Sequence, residues 1–362
     1  MKKVLVIDGS PRGNDGNTMV LTNKFVEGMC LVDDFDIDVI HLKDYRIKFC
    51  KGCFYCWNNT EGKCCMDDDM APLVRKHMEA DIYIWSTPLH TFGMSAMMKN
   101  YLDRLFPIHL GEMGHRASGG EEHACRFDKY NRKQALICSC GFYSFENNIE
   151  ALVKQFEIMR EDNFSRILCS EGGLLRLNQG DAVVRVKKYL NIVRKAGKEF
   201  ARDGKVSTET EKQIMMPMID RDRYITIVNN YWYVDADKNN PEDSKKCAYK
   251  LITIMSALMD ISPLDGREAV MQYNMKDIDH YIQVHIKGDS FEVVDEKDRF
   301  LPYNLEMETT FQKLIELDNN TRPDQNGGRE SKDKRQENRG MQAVVLRLKW
   351  CLDKNQIRVL KI

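Results

Sequence analysis

The sequence predicts an α/β fold: a doubly wound, five-stranded parallel sheet followed by a smaller α+β domain. Three observations lead there. Short apolar runs alternate with helix-period segments over the first two hundred residues. A turn rich in Gly, Ser and Pro follows the first run, and the pattern changes character after Gly204. The chain has 362 residues, and domains of about 150 residues make two the natural count.

The elements can be justified in order. Val4–Ile7 is a continuous apolar run, as a strand buried on both faces requires. The spacing of apolar residues predicts an amphipathic helix over 18–30. A second strand is predicted over 37–42, a helix over 70–79 and a third strand over 82–86. Leu and Met at helical spacing predict a helix over 94–105. A fourth strand follows at 135–139, a helix at 145–160, a fifth strand at 167–170 and a long basic helix at 182–202. Five such units in series imply a parallel sheet with helices on both faces, and right-handed crossovers restrict it to doubly wound forms. Ligands of such sheets sit outside the carboxyl ends of the strands.

Beyond the first domain, taken as 1–205, a connecting segment is expected over 206–247, with mixed residues around Pro217, the run Tyr231-Trp232-Tyr233 and a polar linker at 235–246. The smaller domain, 248–362, opens with a helix at 248–260 and continues with strands at 269–274 and 281–286 and a further helix. Residues 322–340 are almost wholly polar and predict disorder. The final segment, 341–362, is apolar-periodic but does not continue the preceding pattern.

Composition narrows the function. Hydrophobic residues make up 43% and charged residues 30%, enough for a real core. Lys+Arg number 54 against 55 Asp+Glu, a balance that argues against non-specific nucleic-acid binding, which needs a basic face, and no nucleic-acid partner is expected. No apolar run approaches the ~18 residues of a membrane span. Only four apolar residues precede Asp8, too few for a secretory leader. A soluble, cytoplasmic protein is expected.

The loop Gly9-Ser10-Pro11-Arg12-Gly13-Asn14-Asp15-Gly16-Asn17-Thr18 joins the first strand to the first helix. A helix N-terminus offers N–H groups and partial positive charge to a phosphate. Ser10, Asn17 and Thr18 can add hydrogen bonds, Arg12 can neutralise a dianion, and glycines such as Gly16 let the backbone close. The glycine spacing matches neither a Walker A loop nor G-x-G-x-x-G. A plain Gly-rich turn capped by Asn17 is the other reading. Two further loops stand at strand carboxyl ends: Thr87-Pro88-Leu89-His90-Thr91-Phe92-Gly93-Met94 and Ser139-Cys140-Gly141-Phe142-Tyr143. Their aromatic faces, amides and small polar groups suit a flat heteroaromatic ring.

Five of the twelve cysteines fall within sixteen residues, as Cys50-x2-Cys53-x2-Cys56-x7-Cys64 plus Cys65. In a reducing compartment such a cluster points to metal or redox chemistry. Four thiolates suit a [4Fe–4S] cluster or zinc, with unmetallated thiols the remaining alternative, and Cys65 is expected to point away. Asp67, Asp68 and Asp69 are expected to cap the next helix. Lys99 and Asp103 are expected to form a surface ion pair. Cys30, Cys169 and Cys351 read as core fillers, Cys138 as buried in the fourth strand, and Cys140 as lying at that strand's end. His109, His115 and His123 fall in the loop between the third helix and the fourth strand and read as surface residues rather than ligands, with covering the ligand or building a dimer face the alternative for that insertion.

Gly-Ser-Pro-Arg with Gly-Asn-Thr, the cysteine cluster ending in Asp67-Asp68-Asp69-Met70, Thr87-Pro88 and Lys99-Asn100-Tyr101-Leu102-Asp103-Arg104 together resemble the NAD(P)H-dependent FMN reductase and iron-sulfur flavoprotein family, over about residues 1–203. The resemblance implies a flavodoxin-like fold. It implies that Ser10, Arg12, Asn17 and Thr18 hold the FMN phosphate, and that Pro88, Leu89, His90, Phe92 and Gly93, with Ser139, Cys140, Gly141 and Phe142, border the isoalloxazine. In iron-sulfur flavoproteins the cysteine motif holds a cluster that relays single electrons; other members carry similar cysteines without metal, and Trp57 with Gly62-Lys63-Cys64 is similar to those. The segment around Gln272-Tyr273-Asn274-Met275 and 281–289 resembles a sterol-carrier-type lipid-binding domain; a packing or dimerisation module is the alternative.

The expectation is an FMN-dependent oxidoreductase that passes reducing equivalents from transiently bound NAD(P)H through FMN to an unidentified acceptor, as a homo-oligomer, with no side chain in a catalytic role. Its rivals are a ferredoxin-linked electron carrier with an iron–sulfur cluster and a flavin redox sensor with a lipid-binding second domain.

Overall fold

The computed structural model describes residues 1–116, 119–126, 132–160, 163–177, 182–231, 240–321 and 340–361. The chain forms two compact units: residues 1–175 with 188–217, and residues 176–187 with 218–362.

The first unit alternates strands and helices: β1 (Lys2–Asp8), α1 (Asn17–Cys30), β2 (Phe35–His41), the single turn α2 (Tyr55–Asn58), α3 (Met70–Glu79), β3 (Ile82–Pro88) and α4 (Ala96–Asp103). A hairpin of β4 (His109–His115) and β5 (Glu121–Cys125) precedes β6 (Lys133–Ser139), α5 (Glu150–Arg160) and β7 (Ser165–Cys169). The long helix α6 (Ala182–Asp203) and α7 (Thr208–Met215) follow. The main sheet runs β2-β1-β3-β6-β7 with every pairing parallel. Counting only its own strands, the order is 2-1-3-4-5, the flavodoxin-like winding. Val4 to Ile7 and Ile82 to Trp85 are almost wholly inaccessible, which is why these strands read as unbroken apolar runs. Trp85 anchors the core beneath the sheet, with its Nε1 donating to Gln134 Oε1 at 2.9 Å.

Several boundaries differ from the sequence reading. Helix α4 starts at Ala96, not Met94, because Ser95 caps it: its Oγ accepts from Met98 N at 3.2 Å. Helix α5 starts at Glu150, not at 145, because Asn147 takes a left-handed conformation and its N–H bonds the Glu150 carboxylate at 2.7 Å. His109, His115 and His123 stand on the hairpin β4–β5 rather than in a loop.

The second unit adds α8 (Arg221–Tyr231), α9 (Pro241–Leu258), β8 (Ala269–Met275), β9 (His280–Lys287), β10 (Ser290–Val294), β11 (Leu305–Thr309), α10 (Phe311–Thr321), α11 (Gly340–Lys354) and β12 (Arg358–Lys361). Its sheet runs β10-β9-β8-β11-β12, antiparallel from β10 to β8 and parallel from β8 to β12. Residues 341–361 contribute to this sheet and its core. β12 extends the sheet beside β11, and Val344, Val345, Leu348 and Cys351 join its core. Helix α9 begins inside the stretch read as linker, with Asn240 capping it through Glu242 N at 3.1 Å. The remainder of that linker and the polar run expected to be disordered, up to its last residue Gly340, lie outside the described residues. Among the described residues, no helix is long and apolar enough to cross a membrane.

Candidate functional site

Three loops meet at the carboxyl ends of β1, β3 and β6, where the sheet's winding reverses. In the first, Gly9 N donates to Ser86 O at 2.8 Å, tying the loop to β3. Gly13 N bonds Ser10 O at 3.1 Å and Gly16 N bonds Gly13 O at 2.8 Å. Gly16 occupies the N-cap of α1, and no side chain caps that helix. A Cβ on Gly16 would fall 2.4 Å from Ser10 Oγ, so only glycine lets the loop close this far. Ser10 and Thr18 are buried, Asn17 is half-buried and Arg12 is exposed. The Thr18 hydroxyl lies 2.7 Å from Ser139 Oγ, linking the first loop to the third.

The second loop is locked as a tight turn by paired bonds between His90 and Gly93, His90 N to Gly93 O at 2.9 Å and Gly93 N to His90 O at 3.0 Å. Thr91 and Phe92 between them have φ of 47° and 64°, a left-handed pair that side-chain-bearing residues rarely adopt. Pro88 and Leu89 lead into the turn, and Leu89 N donates to Ser139 O at 3.0 Å. In the third loop Cys140 N donates to Cys169 O at 2.9 Å, and Gly172 N to Cys140 O at 2.7 Å. Beyond Gly141, the Phe142 ring lies parallel to that of Phe92, with centroids 5.8 Å apart and planes 5° apart. Both rings are nearly half exposed, 47% for Phe92 and 44% for Phe142. Cys140 is buried, and burial pushes its thiol above the ordinary range, which disfavours a thiolate there.

Beneath the first loop lies a pair the sequence reading missed. Asp8 is fully buried; its Oδ1 accepts from Ser10 N at 3.0 Å and its Oδ2 lies 2.7 Å from His41 Nδ1. Burial raises the Asp8 carboxyl above its ordinary value, with His41 pulling the other way. The signal was present: a carboxylate ending a fully apolar strand must find partners inside.

The cysteines occupy a separate loop, 45–69, ahead of α3. Arg104, just past α4, is the pin that holds it. Its guanidinium is 1% exposed and grips Asp68 in a two-point ion pair at 2.5 and 3.0 Å. It also donates to Lys48 O at 2.7 Å and to Cys64 Sγ at 3.5 Å. Burial works to raise the Asp68 carboxyl, but Arg104 and the Lys48 and Met70 N–H groups outweigh it and hold it low. The expected capping of α3 by all three aspartates is not what the structure shows. Asp69 sits at the N-cap of α3 without a side-chain capping bond and accepts instead from Arg46 N at 2.6 Å. Asp68 accepts from Met70 N at 3.1 Å, and the Asp67 carbonyl accepts from Lys48 Nζ at 2.8 Å.

Cys50, Cys53, Cys56, Cys64 and Cys65 all border one hollow, with Arg104, Phe106 and Pro107 on its other side. Cys56 is buried, Cys50 and Cys64 are half-buried, and Cys53 and Cys65 are exposed. Cys65 does not point away: its Sγ lies 4.0 Å from Cys53 Sγ. Thiols on one hollow are the right donors for a soft metal centre. However, among the described residues no three Cys, His, Asp or Glu side chains converge on one ion. The loop leans on the hairpin through Trp57, whose ring lies 4.7 Å from that of His123 at a tilt of 50° and whose Nε1 donates to Phe106 O at 2.9 Å. Elsewhere, Lys99 and Asp103 form the expected exposed pair at 2.6 Å. Cys138, Cys169 and Cys351 are buried as expected, but Cys30, the last residue of α1, is exposed.

The model describing NADPH-dependent FMN reductases matches residues 2–144. That part of the chain is similar to this family. The same segment also aligns with curated relatives. An iron-sulfur flavoprotein of Archaeoglobus fulgidus is 37% identical over 102 residues, covering 28% of this chain and 48% of that protein. One of Methanocaldococcus jannaschii is 34% identical over 118 residues, covering 33% and 59%. An NAD(P)H-dependent FAD/FMN reductase of Geobacillus thermodenitrificans is 28% identical over 121 residues, covering 33% and 60%. The chain spans about half the length of the curated relatives it matches. Among solved structures, an FMN-dependent NADH-azoreductase from Bacillus anthracis aligns with 56% of this chain and 100% of its own, at a TM-score of 0.43 and 17% identity. The strand order, not that alignment, carries the fold assignment.

Proposed function

We propose that this protein is an FMN-dependent oxidoreductase that takes reducing equivalents from NAD(P)H. The observation that carries the reading is the meeting of three loops at the carboxyl ends of neighbouring parallel strands. One opens an α-helix without a side-chain cap, and the other two present a parallel aromatic pair. The cradle fits a flavin nucleotide: Gly16 leaves room that a Cβ would fill, and Ser10 is held in place by Asp8. The N–H groups at the start of α1, with Ser10 and Asn17, would bind the phosphate, and Arg12 would balance its charge. The turn 88–93 and residues 139–142 would border the ring, with Phe92 and Phe142 limiting water on one side. When bound, FMN supplies hydride and electron chemistry itself, so the residues around it need only bind and orient.

Titrating the purified chain with FMN, followed by NADH and NADPH oxidation assays, tests this. Saturable quenching of flavin fluorescence and flavin-dependent oxidation are expected; no binding by the intact chain would sink the reading. A second reading, a cluster-bearing electron carrier with a ferredoxin-like partner, is favoured by the five thiols on one hollow. Its check is anaerobic iron and sulfide analysis, with about four of each per chain expected.

A further inference from the structure

We infer that Cys53 and Cys65 form a reversible redox site, a dithiol that closes to a disulfide when the hollow holds no metal. The two Sγ atoms stand 4.0 Å apart, so an approach of about 2 Å brings them to the length of an S–S bond. They are the two exposed thiols of the five, whereas Cys56 is buried and the Cys64 sulfur accepts a hydrogen bond from Arg104. A small oxidant therefore meets this pair first. The sequence reading had left Cys65 without a role; the geometry makes it the partner of Cys53. The inference is independent of flavin binding.

The oxidant is a peroxide. One thiolate attacks a peroxide oxygen, the O–O bond breaks, and a sulfenic acid and water form once the leaving oxygen takes a proton. The second thiol then attacks the sulfenic sulfur, forming the S–S bond and releasing a second water. Two thiols lose two electrons and two protons, and the peroxide becomes two waters. Closure takes Cys53 away from any metal, so occupation of the hollow and oxidation of this pair exclude each other.

The test uses the full chain after chelation and desalting, treated anaerobically with one equivalent of hydrogen peroxide. The free-thiol count should fall by two and return with dithiothreitol, with unchanged far-ultraviolet circular dichroism. Trypsin cleaves after Lys51, Lys63 and Arg75, placing Cys53 and Cys56 on one peptide and Cys64 and Cys65 on the next. A non-reducing digest should show these two peptides joined. The link should survive in Cys56→Ser and Cys64→Ser and vanish in Cys53→Ser and Cys65→Ser. A link that persists in Cys65→Ser, or thiol loss with the peptides unlinked, would overturn the inference.

Discussion

The three-loop cradle and the cysteine loop belong to the same unit but are held in different ways. The cradle is set by backbone. Its turns close on their own amides and carbonyls and hang from the ends of β1, β3 and β6, so its shape comes with the sheet. The cysteine loop has no such frame. It is gathered by side chains, above all by Arg104, which reaches Asp68, the Lys48 carbonyl and the Cys64 sulfur together. A site built on backbone resists single substitutions, whereas one that depends on a single buried ion pair fails when either partner goes.

The sharpest way to break this contrast is Arg104→Met. It leaves Asp68 buried without its cation, at a cost of about 3–5 kcal/mol. Amide hydrogen exchange should rise sharply across 46–68 and stay near its original level across 9–18. An equal rise in both segments would mean that the two regions are one cooperative unit. Next comes Arg12→Ala, which should weaken FMN binding by about 1.5–3 kcal/mol, the worth of a charged hydrogen bond, and leave exchange at 46–68 unaltered. Unchanged affinity by fluorescence titration would remove Arg12 from the cradle. Gly16→Ala forces its new methyl against Ser10 Oγ, and overpacking of about 1–3 kcal/mol should be shared between stability and FMN affinity.

The pH dependence carries the comparison further. The Asp68 carboxyl is held below its ordinary value of 3.8. The stability it supplies is therefore fully present above that value and lost as pH falls through its lower folded value. Protection of 46–68 should collapse on acidification before that of the parallel strands, and Asp68→Asn should flatten the difference. The smallest effect is expected for Lys99→Ala. The pair with Asp103 is exposed, so its loss should change stability by at most about 0.5 kcal/mol.

The cradle was more legible in the sequence than the thiol site. Its predicted residues lie on the loops at strand ends or on the last strand and first helix positions beside them, because buried parallel strands announce themselves as apolar runs and the winding dictates which ends matter. Asp8 and His41 were missed, since their meeting depends on β1 and β2 lying side by side with Asp8 level with His41. The role of Cys65 was misread because spacing says which thiols are near in sequence, not where a loop pinned by Arg104 aims them. The hairpin β4–β5 went unseen for want of alternation, and four-residue β12 is a strand only because β11 is there to pair with it.

By itself, then, the sequence determined the parallel sheet, its order of elements and the loops that crown it, since burial on both faces and helical periodicity are local patterns. Only the tertiary structure decided the Asp8–His41 pair, the Arg104 pin and the approach of Cys53 to Cys65. Each of these joins segments 12 to 36 residues apart through side chains, and no local pattern carries information about which distant partner a buried charge or a thiol will meet.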